Sequence, residues 1–301
     1  MSMDPSHIKI GVFGKGGCGK STVSLLLARL LTENYSTWLV DADSTNRGMA
    51  AALGLAVPPK PLLDHFGGMV FSGGSVTCPV DDPTLLEGAA LTEDAIPPEY
   101  VGLSVEGIHL LTLGKVGSMG VGAGCDGPIA KIARDLRLVN GHRPTAMILD
   151  LKAGFEDAAR GIITGLDWVL VVIDPTAASL GLAHDMKNML EQVQRGVMPA
   201  TSHLEDPALV AISQQRYQQA YVRGLLCLLN RVQDDDESET FLKDKLWEMG
   251  LTSSSTIHEY PMIKRAWMNG DRLPATGAEE ELLPLLDRIE ELTREKSTGL
   301  K

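Results

Sequence analysis

The sequence predicts an α/β protein with a doubly wound, mainly parallel sheet flanked by helices, and three observations support this fold class. Short apolar runs recur along the chain, as expected for strands that are buried on both faces of a sheet. Segments with helical periodicity lie between several of these runs. A glycine-rich turn joins the first run to the first helical segment, so the chain opens in strand–turn–helix order.

Six apolar runs are short enough to be strands and are separated by turn residues or helical segments. They are IKIGVF (8–13), TWLVD (37–41), IHLLTL (108–113), TAMILDL (145–151), DWVLVVID (167–174) and GLLCLLN (224–230). Because doubly wound sheets bind their ligands at the carboxyl ends of the strands, we expect the functional residues there.

Four segments have helical periodicity and account for the flanking layers. They are STVSLLLARLL after the first strand, IAKIARDLRLV before the fourth, AASLGLAHDMKNMLEQV after the fifth and AEEELLPLLDRIEELTREK near the end of the chain.

Two stretches fit this alternation less well. Residues 57–107 are rich in proline and glycine, and so long a connection is expected to contain short elements or partner-facing loops. Residues 196–222 extend the crossover before the sixth strand. Neither stretch resembles a linker between two cores, so we predict one domain over residues 1–301.

Composition and charge narrow the class of function. The 301 residues have a formal net charge of −12, which disfavours a general binder of nucleic acid or of an anionic membrane. The sequence has no run of ~18 apolar residues, so we expect no stable membrane insertion. It begins without a basic region and apolar core of the signal-peptide type, and its four cysteines are widely scattered. These features predict a cytoplasmic protein.

The first turn, GKGGCGKS, fits the phosphate-loop pattern G-x-x-x-x-G-K-[ST] with Gly14, Gly19, Lys20 and Ser21. Its backbone N–H groups can wrap phosphates, the lysine can reach the β and γ oxygens, and the serine can bind Mg²⁺. The alternative, a structural glycine turn, explains the strand–turn–helix context less well.

Such a loop also needs a carboxylate near the metal, at the end of another strand. Asp150 follows AMIL directly, and Asp41 and Asp43 end the second strand. The alternative for each aspartate is a helix cap or a turn.

With these motifs in place, the chain resembles the deviant phosphate-loop ATPases of the MinD, ParA and nitrogenase iron protein class, whose hallmark is an early lysine, here Lys15. VDADSTN is similar to the first switch of that class, ILDLKAGFEDAARG to the second, LLNRV to the adenine-contacting segment and YPMIKRAWMNGDRLP to a late nucleotide-side segment. Within the class it resembles the CooC-type ATPases, which help insert nickel into carbon monoxide dehydrogenase, in DADSTNRGMAAALGL, AGFEDAARG and GAGCDGPIAKIARDL.

The resemblance implies ATP or ADP with Mg²⁺ as cofactors, and a role for each matching position. The implied catalytic residues are Lys15, Lys20 and Asp43, with Lys15 crossing a dimer interface to the partner's nucleotide and Asp43 positioning the attacking water. The implied metal residues are Ser21, Asp43 and Asp150. The implied nucleotide-binding residues are Gly14, Lys15, Gly16, Gly17, Cys18, Gly19, Lys20, Ser21, Thr22, Asn230, Arg231 and Pro261.

Cys125 departs from the family pattern. CooC-type proteins have a C-x-C pair here, but Gly127 replaces the second cysteine, and the second switch lacks the other cluster cysteine of the iron proteins. We favour a small residue in a glycine-rich turn. An inter-subunit thiol pair, a soft metal such as nickel or zinc, or an Fe–S cluster at Cys125 stays open but is not favoured. Lys152 occupies a position of the second switch where CooC-type sequences usually have an acidic residue. This replacement either alters how the switch couples to a client protein or has no effect.

Three functions follow. The first is a Mg²⁺-dependent ATP-hydrolysing dimeric switch that acts as an accessory or maturation ATPase for a metalloenzyme. Its partners would be a second copy of itself and a client protein. The second is a positioning or partition ATPase, which the acidic charge disfavours. The third is a protein-interaction regulator whose nucleotide state matters more than turnover.

Overall fold

In the computed structural model, which describes residues 7–115, 125–139, 143–233 and 236–298, the chain forms ten strands. In chain order they are β1 (His7–Gly14), β2 (Ser36–Asp41), β3 (Ala90–Thr92), β4 (Gly102–Leu103), β5 (Ile108–Thr112), β6 (Arg137–Val139), β7 (Thr145–Asp150), β8 (Trp168–Ile173), β9 (Gly224–Val232) and β10 (Ser253–His258). All six predicted strands are present.

The α-helices of the described residues range from four to 18 residues. They are α1 (Lys20–Leu31), α2 (Met49–Ala52), α3 (Leu62–His65), α4 (Gly127–Asp135), α5 (Glu156–Ala159), α6 (Ala177–Gln194), α7 (Pro207–Gln219), α8 (Asp236–Glu248), α9 (Pro261–Asn269), α10 (Ala278–Glu281) and α11 (Leu283–Thr298). None of these described helices is both long and apolar enough to cross a membrane.

Eight strands form one sheet in the order β10-β9-β8-β1-β7-β2-β5-β4, which is parallel except for the edge pair β4–β5. β3 and β6 form a separate parallel pair. The prediction of a mainly parallel, doubly wound sheet is therefore confirmed. β1 lies between β7 and β8, so the carboxyl ends of these strands meet at one edge, where ligands of such sheets bind.

Apolar cores cover both faces of the sheet. On one face Ile10 and Val12 pack in a cluster that includes buried residues of α1 and α11. On the other face Phe13 and Val171 pack with α4 and α6. Each core strand is thus buried on two sides, which explains why the strands read as continuous apolar runs instead of alternating patterns.

Two predicted helices have the wrong extent. The helix predicted over IAKIARDLRLV ends at Asp135, and Arg137–Val139 forms β6, because Leu136 adopts an extended backbone and the next residues pair with β3. The predicted last helix is divided into α10 and α11. The break lies just before Pro284, whose ring nitrogen has no N–H to continue the first helix.

The prediction of short elements within residues 57–107 is confirmed, and residues 196–222, for which no element was predicted, contain a helix. Residues 57–107 include α3, β3 and β4, and residues 196–222 include α7. The edge strand β10 was missed, since its sequence SSSTIH contains no apolar run. Ser255 is nevertheless buried, because β10 pairs with β9 there and the Ser255 hydroxyl donates to the Glu281 carbonyl.

Candidate nucleotide site

The glycine-rich loop connects β1 to α1 at the centre of the sheet edge. Gly17 and Gly19 have φ angles of 82° and 96°, which non-glycine residues rarely adopt. Gly19 precedes the first turn of α1, so the unpaired N–H groups of that turn face the loop. The Lys20 Nζ lies 3.4 Å from the Lys15 carbonyl oxygen and folds back over the loop. This arrangement presents N–H donors and one ammonium to an anion.

Asp150 lies at the carboxyl end of β7, beside the first turn of α1. Its side chain accepts hydrogen bonds from the Ser21 hydroxyl at 2.6 Å and from the Ser24 hydroxyl at 3.3 Å. Burial raises the pKa of the Asp150 carboxyl, and the bond from Ser21 and the charge of Lys20 oppose that shift. Asn46 Nδ2 donates to the Ser21 hydroxyl at 3.0 Å, which attaches the segment after β2 to the same cluster. Sequence reasoning missed Ser24 and Asn46.

Asp43 lies in the segment after β2, two residues beyond the strand end. Its carboxylate accepts hydrogen bonds from the backbone N–H of Thr45 at 2.9 Å and from the Thr45 hydroxyl at 2.6 Å. Lys115, just beyond β5, donates to the Asp43 carbonyl at 2.6 Å and to the Asp41 carboxylate at 2.7 Å. Burial raises the pKa of Asp41 to about 7, although Lys115 opposes this. Lys115, missed from the sequence, therefore holds the first switch segment to the sheet edge.

The donor set suits a magnesium ion held with a nucleotide. Asp43 and Asp150 bring carboxylates and Ser21 a hydroxyl to the phosphate loop, and Mg²⁺ prefers such oxygen ligands. Within the described ranges, no group of three or more His, Cys, Asp and Glu side chains is placed to hold a metal ion. The remaining ligands of a magnesium ion would come from phosphate oxygens and water, as is usual for this ion.

Lys15 has a partner within its own chain. Its Nζ lies 3.5 Å from Asp174 Oδ2 and 3.4 Å from the Thr176 hydroxyl, just after β8. The Lys15 side chain is 39% exposed, so it remains accessible from outside. Asp174 was not identified from the sequence, although its place at the end of a predicted strand was a usable signal. The role of Lys15 towards a second copy stays a prediction.

The predicted adenine-side residues meet the loop from β9. Asn230 is buried, and its Nδ2 donates to the Cys18 carbonyl at 2.7 Å. Arg231 has φ of 60°, unusual for a residue with a side chain, and its guanidinium donates to the Gly17 carbonyl at 3.1 Å. The end of β9 is therefore attached directly to the phosphate loop.

A cavity of about 680 Å³ lies over the loop, large enough for a nucleotide. Predicted residues contribute Gly16, Gly17, Gly19, Lys20, Ser21, Thr22, Asp43, Asn230 and Arg231. Pro261 is not in the lining, although it starts α9, whose Ile263, Lys264 and Trp267 are. The indole N–H of Trp267 donates to the Thr22 hydroxyl at 2.9 Å. Trp267 lies in the predicted nucleotide-side segment but could not be singled out from the sequence, because its contact with Thr22 joins residues 245 positions apart and depends on the packing of α9 beside α1.

The cysteines differ in environment. Cys18 is buried beneath the loop, and burial raises its pKa to about 11, which suits a small apolar residue there. Cys125 is exposed just before α4. Its neighbour Asp126 forms an ion pair with Lys152 of the second switch. Although burial opposes it, Lys152 holds the pKa of Asp126 below its usual range.

Comparison with known proteins agrees with this geometry. Residues 11–266 match the CobQ/CobB/MinD/ParA nucleotide binding domain. The carbon monoxide dehydrogenase accessory protein CooC of Rhodospirillum rubrum is 29% identical over 248 residues, covering 77% of this chain and 88% of CooC. An uncharacterized ATP-binding protein of Methanocaldococcus jannaschii is 29% identical over 203 residues, covering 66% of this chain and 80% of that protein.

The septum site-determining protein MinD of Pyrococcus horikoshii, solved with Mg-ADP, shares the fold with a TM-score of 0.58 at 16% identity. The match covers 95% of this chain and 97% of MinD. Since the domain match spans most of the sequence, the chain belongs to the CobQ/CobB/MinD/ParA family of nucleotide-binding domains.

Proposed function

We propose that this protein is a Mg²⁺-dependent ATPase that works as an ATP-induced homodimeric switch and serves as an accessory or maturation factor for a metalloenzyme. The observation that carries the ATPase part is the 2.6 Å contact between Ser21 and Asp150 beside the phosphate loop. This contact places a hydroxyl and a buried carboxylate at the N-terminus of α1, where a phosphate-bound Mg²⁺ needs its protein ligands.

In this proposal, different residues bind the phosphates, hold the metal ion and position the attacking water. Lys20 and the loop N–H groups would bind the β and γ phosphates, and Ser21 and Asp150 would hold Mg²⁺, Asp150 through water. Mg²⁺ would neutralise the charge that develops on the phosphates. The Thr22 hydroxyl accepts a bond from Trp267 and keeps its own proton for a phosphate oxygen. Asp43 orients the attacking water and accepts its proton.

The adenine is bound on the β9 side of the cavity. The Asn230 amide uses one N–H on the Cys18 carbonyl, which leaves its second N–H and its oxygen for a base edge. Lys15 leaves Asp174 and stabilises the transferred phosphoryl group on the partner's nucleotide, as a second cation does in related phosphoryl transfers. Hydrolysis would then require dimer formation.

Similarity to CooC supports the accessory role, since the two chains align over 248 residues at 29% identity. The accessory role can be tested separately from the ATPase activity. A carbon monoxide dehydrogenase expressed without its own accessory ATPase provides the test, with this protein supplied on a second plasmid. Rescue of enzyme activity by the wild type and not by Lys20→Ala is expected. If the wild type gives no rescue while it hydrolyses ATP, the client assignment is wrong and the ATPase stands.

The switch itself is tested by light scattering of the purified protein without nucleotide, with ADP and with ATP and Mg²⁺, with metal content measured on each peak. A dimer formed with ATP and not with ADP is expected. A monomer under all three conditions would overturn the dimeric switch.

A positioning ATPase is the second candidate, and the last helix argues against a membrane-bound version. Leu285 and Ile289 of α11 are fully buried in the core beside β10, so the apolar face of the helix is occupied by its own domain. A membrane-surface helix needs that face free and cationic flanks. Co-sedimentation of the ATP-bound protein with anionic liposomes or with DNA would favour the positioning role instead.

A further inference from the structure

A second cavity, of about 430 Å³, lies between the end of the second switch and the crossover extension at residues 196–222. Its volume is within the range of small-molecule sites. The extension is held in place from across the cavity, because His203 Nε2 lies 3 Å or less, at 2.9 Å, from the Val80 carbonyl oxygen. Among the described residues, the two cavities have no lining residue in common, so this is a separate site from the one over the phosphate loop.

The walls of this cavity combine apolar surface with positive charge. The charged side chains among its described lining residues include Arg134, Arg160 and Arg216, whereas no Asp or Glu is among them. In a chain with a net charge of −12, a concave wall with arginines and no acid favours an anion. Its apolar side chains include Val80, Ile163, Met189, Val193, Val197 and Met198.

Two of these arginines share a single carboxylate. Arg134 Nε lies 2.8 Å and Arg216 Nη1 lies 3.0 Å from the same atom, Asp135 Oδ1. Burial lowers the pKa of Arg216 and the charge of Arg134 lowers it further, although Asp135 opposes this shift. Two guanidinium charges thus face one buried carboxylate, and a bound monoanion would balance the remaining positive charge.

Hydrogen-bond donors next to these charges are available to a ligand. Arg216 donates through Nε to the Pro83 carbonyl at 3.1 Å and through Nη1 to Asp135, and its Nη2 has no partner in the described part of the chain. The hydroxyl of the adjacent Tyr217 also has none there. Burial raises the pKa of Tyr217, and the charges of Arg134 and Arg216 oppose that shift, so both cations lie within electrostatic reach of this hydroxyl. A carboxylate can accept from a guanidinium and a hydroxyl at once.

The cavity also contacts the end of the second switch. A Cβ atom placed on Gly161 would lie 3.3 Å from the Tyr217 hydroxyl oxygen, so α7 packs closely against this turn. Arg160 donates to the Asp157 carboxylate at 3.3 Å, and Asp157 accepts the backbone N–H of Lys152 at 3.2 Å. A ligand in this cavity would therefore contact the second switch without entering the nucleotide site.

We propose that this cavity binds a small organic monocarboxylate with an apolar body, whose carboxylate accepts hydrogen bonds from Arg216 and Tyr217. The apolar walls would remove the body of the ligand from water. A single negative charge matches the one unbalanced guanidinium, whereas a dianionic phosphate would exceed it. This inference goes beyond the proposed function, because binding requires neither ATP nor a second copy of the chain.

Isothermal titration calorimetry of the full chain without nucleotide tests the site, with octanoate as the probe. We expect one binding site per chain. Octanol has the same apolar body without the charge and should bind at least about 10-fold more weakly, because the bonds to a charged group are lost. Inorganic phosphate, which has no apolar body, should not bind at the same concentration. Equal affinity for octanol or for phosphate would overturn the proposed ligand class.

Two variants test the residues assigned to the carboxylate. Tyr217→Phe removes only the hydroxyl and should weaken octanoate binding about 10-fold. Arg216→Lys keeps a cation beside Asp135, loses the guanidinium fork and should weaken binding by about 10-fold or more. Tyr221→Phe and Arg195→Lys are the matched controls, because neither residue is in the cavity lining.

Circular dichroism checks that each variant keeps the fold, and Tyr217→Phe keeps the test open if Arg216→Lys does not fold. Absence of octanoate binding by the wild type, or wild-type affinity in folded Tyr217→Phe, would overturn the site. Lys20→Ala should bind octanoate as the wild type does while losing ATP, so a failure of one proposal is distinguishable from a failure of the other.

Discussion

The ammonium group of Lys15 lies 3.5 Å from the carboxylate of Asp174, so the lysine that we expect to act on a second subunit is held by its own chain. A partly exposed pair of this kind contributes roughly 0.2–1 kcal/mol. Dimer contacts and the charge of a γ phosphate can exceed that stabilisation. The pair therefore holds Lys15 beside the phosphate loop, and the free energy needed to release it is small.

Lys15→Ala should spare ATP binding and reduce hydrolysis about 100-fold or more, the effect of removing one donor that stabilises transition-state charge. ATP-dependent dimer formation should also decline. Calorimetry, phosphate release and light scattering measure the three quantities. Lys60→Ala is the matched control, because Lys60 is 62% exposed and its nearest acid, Glu99, is 4.0 Å away. Normal hydrolysis by Lys15→Ala would refute a trans-acting lysine.

Lys20→Ala should weaken ATP binding about 10- to 100-fold, since a hydrogen bond from a charged group contributes roughly 1.5–3 kcal/mol. Isothermal titration calorimetry with ATP and Mg²⁺ measures the change. Unaltered affinity in a folded variant would show that the loop does not bind the phosphates.

Asp43→Ala should bind ATP, stop turning it over and accumulate as a dimer, because the water-orienting carboxylate is lost while the phosphate contacts remain. Light scattering after incubation with ATP and Mg²⁺ is the measurement. A monomer with ATP bound would contradict the role assigned to Asp43.

Asp41 should make stability depend on pH. Its pKa is raised from 3.8 to about 7, chiefly by burial, so between these values the folded state holds a proton that the unfolded state has lost. This contribution to the free energy of unfolding is full below pH 3.8 and is lost as the pH rises through about 7, at up to ~1.4 kcal/mol per pH unit.

Asp41→Asn removes that titration. Urea unfolding at about pH 5 and about pH 7.5 should show the wild type losing stability relative to the variant as pH rises. A difference between the two proteins that is constant with pH would contradict the raised pKa.

Lys152 should couple the nucleotide site to the turn that carries Cys125. It lies in the second switch after Asp150 and is ion-paired to Asp126, next to Cys125. We expect the rate of Cys125 alkylation by iodoacetamide to differ between ADP and ATP in the wild type, and this difference to vanish in Lys152→Ala. Lys243→Ala, an exposed lysine of α8 paired within its own helix, is the control. An equal ATP effect in wild type and Lys152→Ala would show that coupling uses another route.

The parallel sheet, the phosphate loop and the strand-end carboxylates were determined by local sequence. Strands buried on both faces must be continuously apolar, and a loop that wraps an anion must be glycine-rich, so both leave patterns within a few neighbouring residues. Gly14 to Ser21, Asp43 and Asp150 could be identified for that reason, and the six central strands with them.

Only the tertiary structure decided which distant residues complete the site. Trp267 reaches Thr22, Lys115 joins Asp41, and Lys15 meets Asp174 through the stacking of strands and helices that are far apart in the chain. Outside that site, the contact between Cys78 and Gly127 likewise joins distant parts of the chain. No local pattern in the sequence predicts such a contact. The contact depends on the order of strands in the sheet and on close packing between loops, and both are set only when the whole chain has folded.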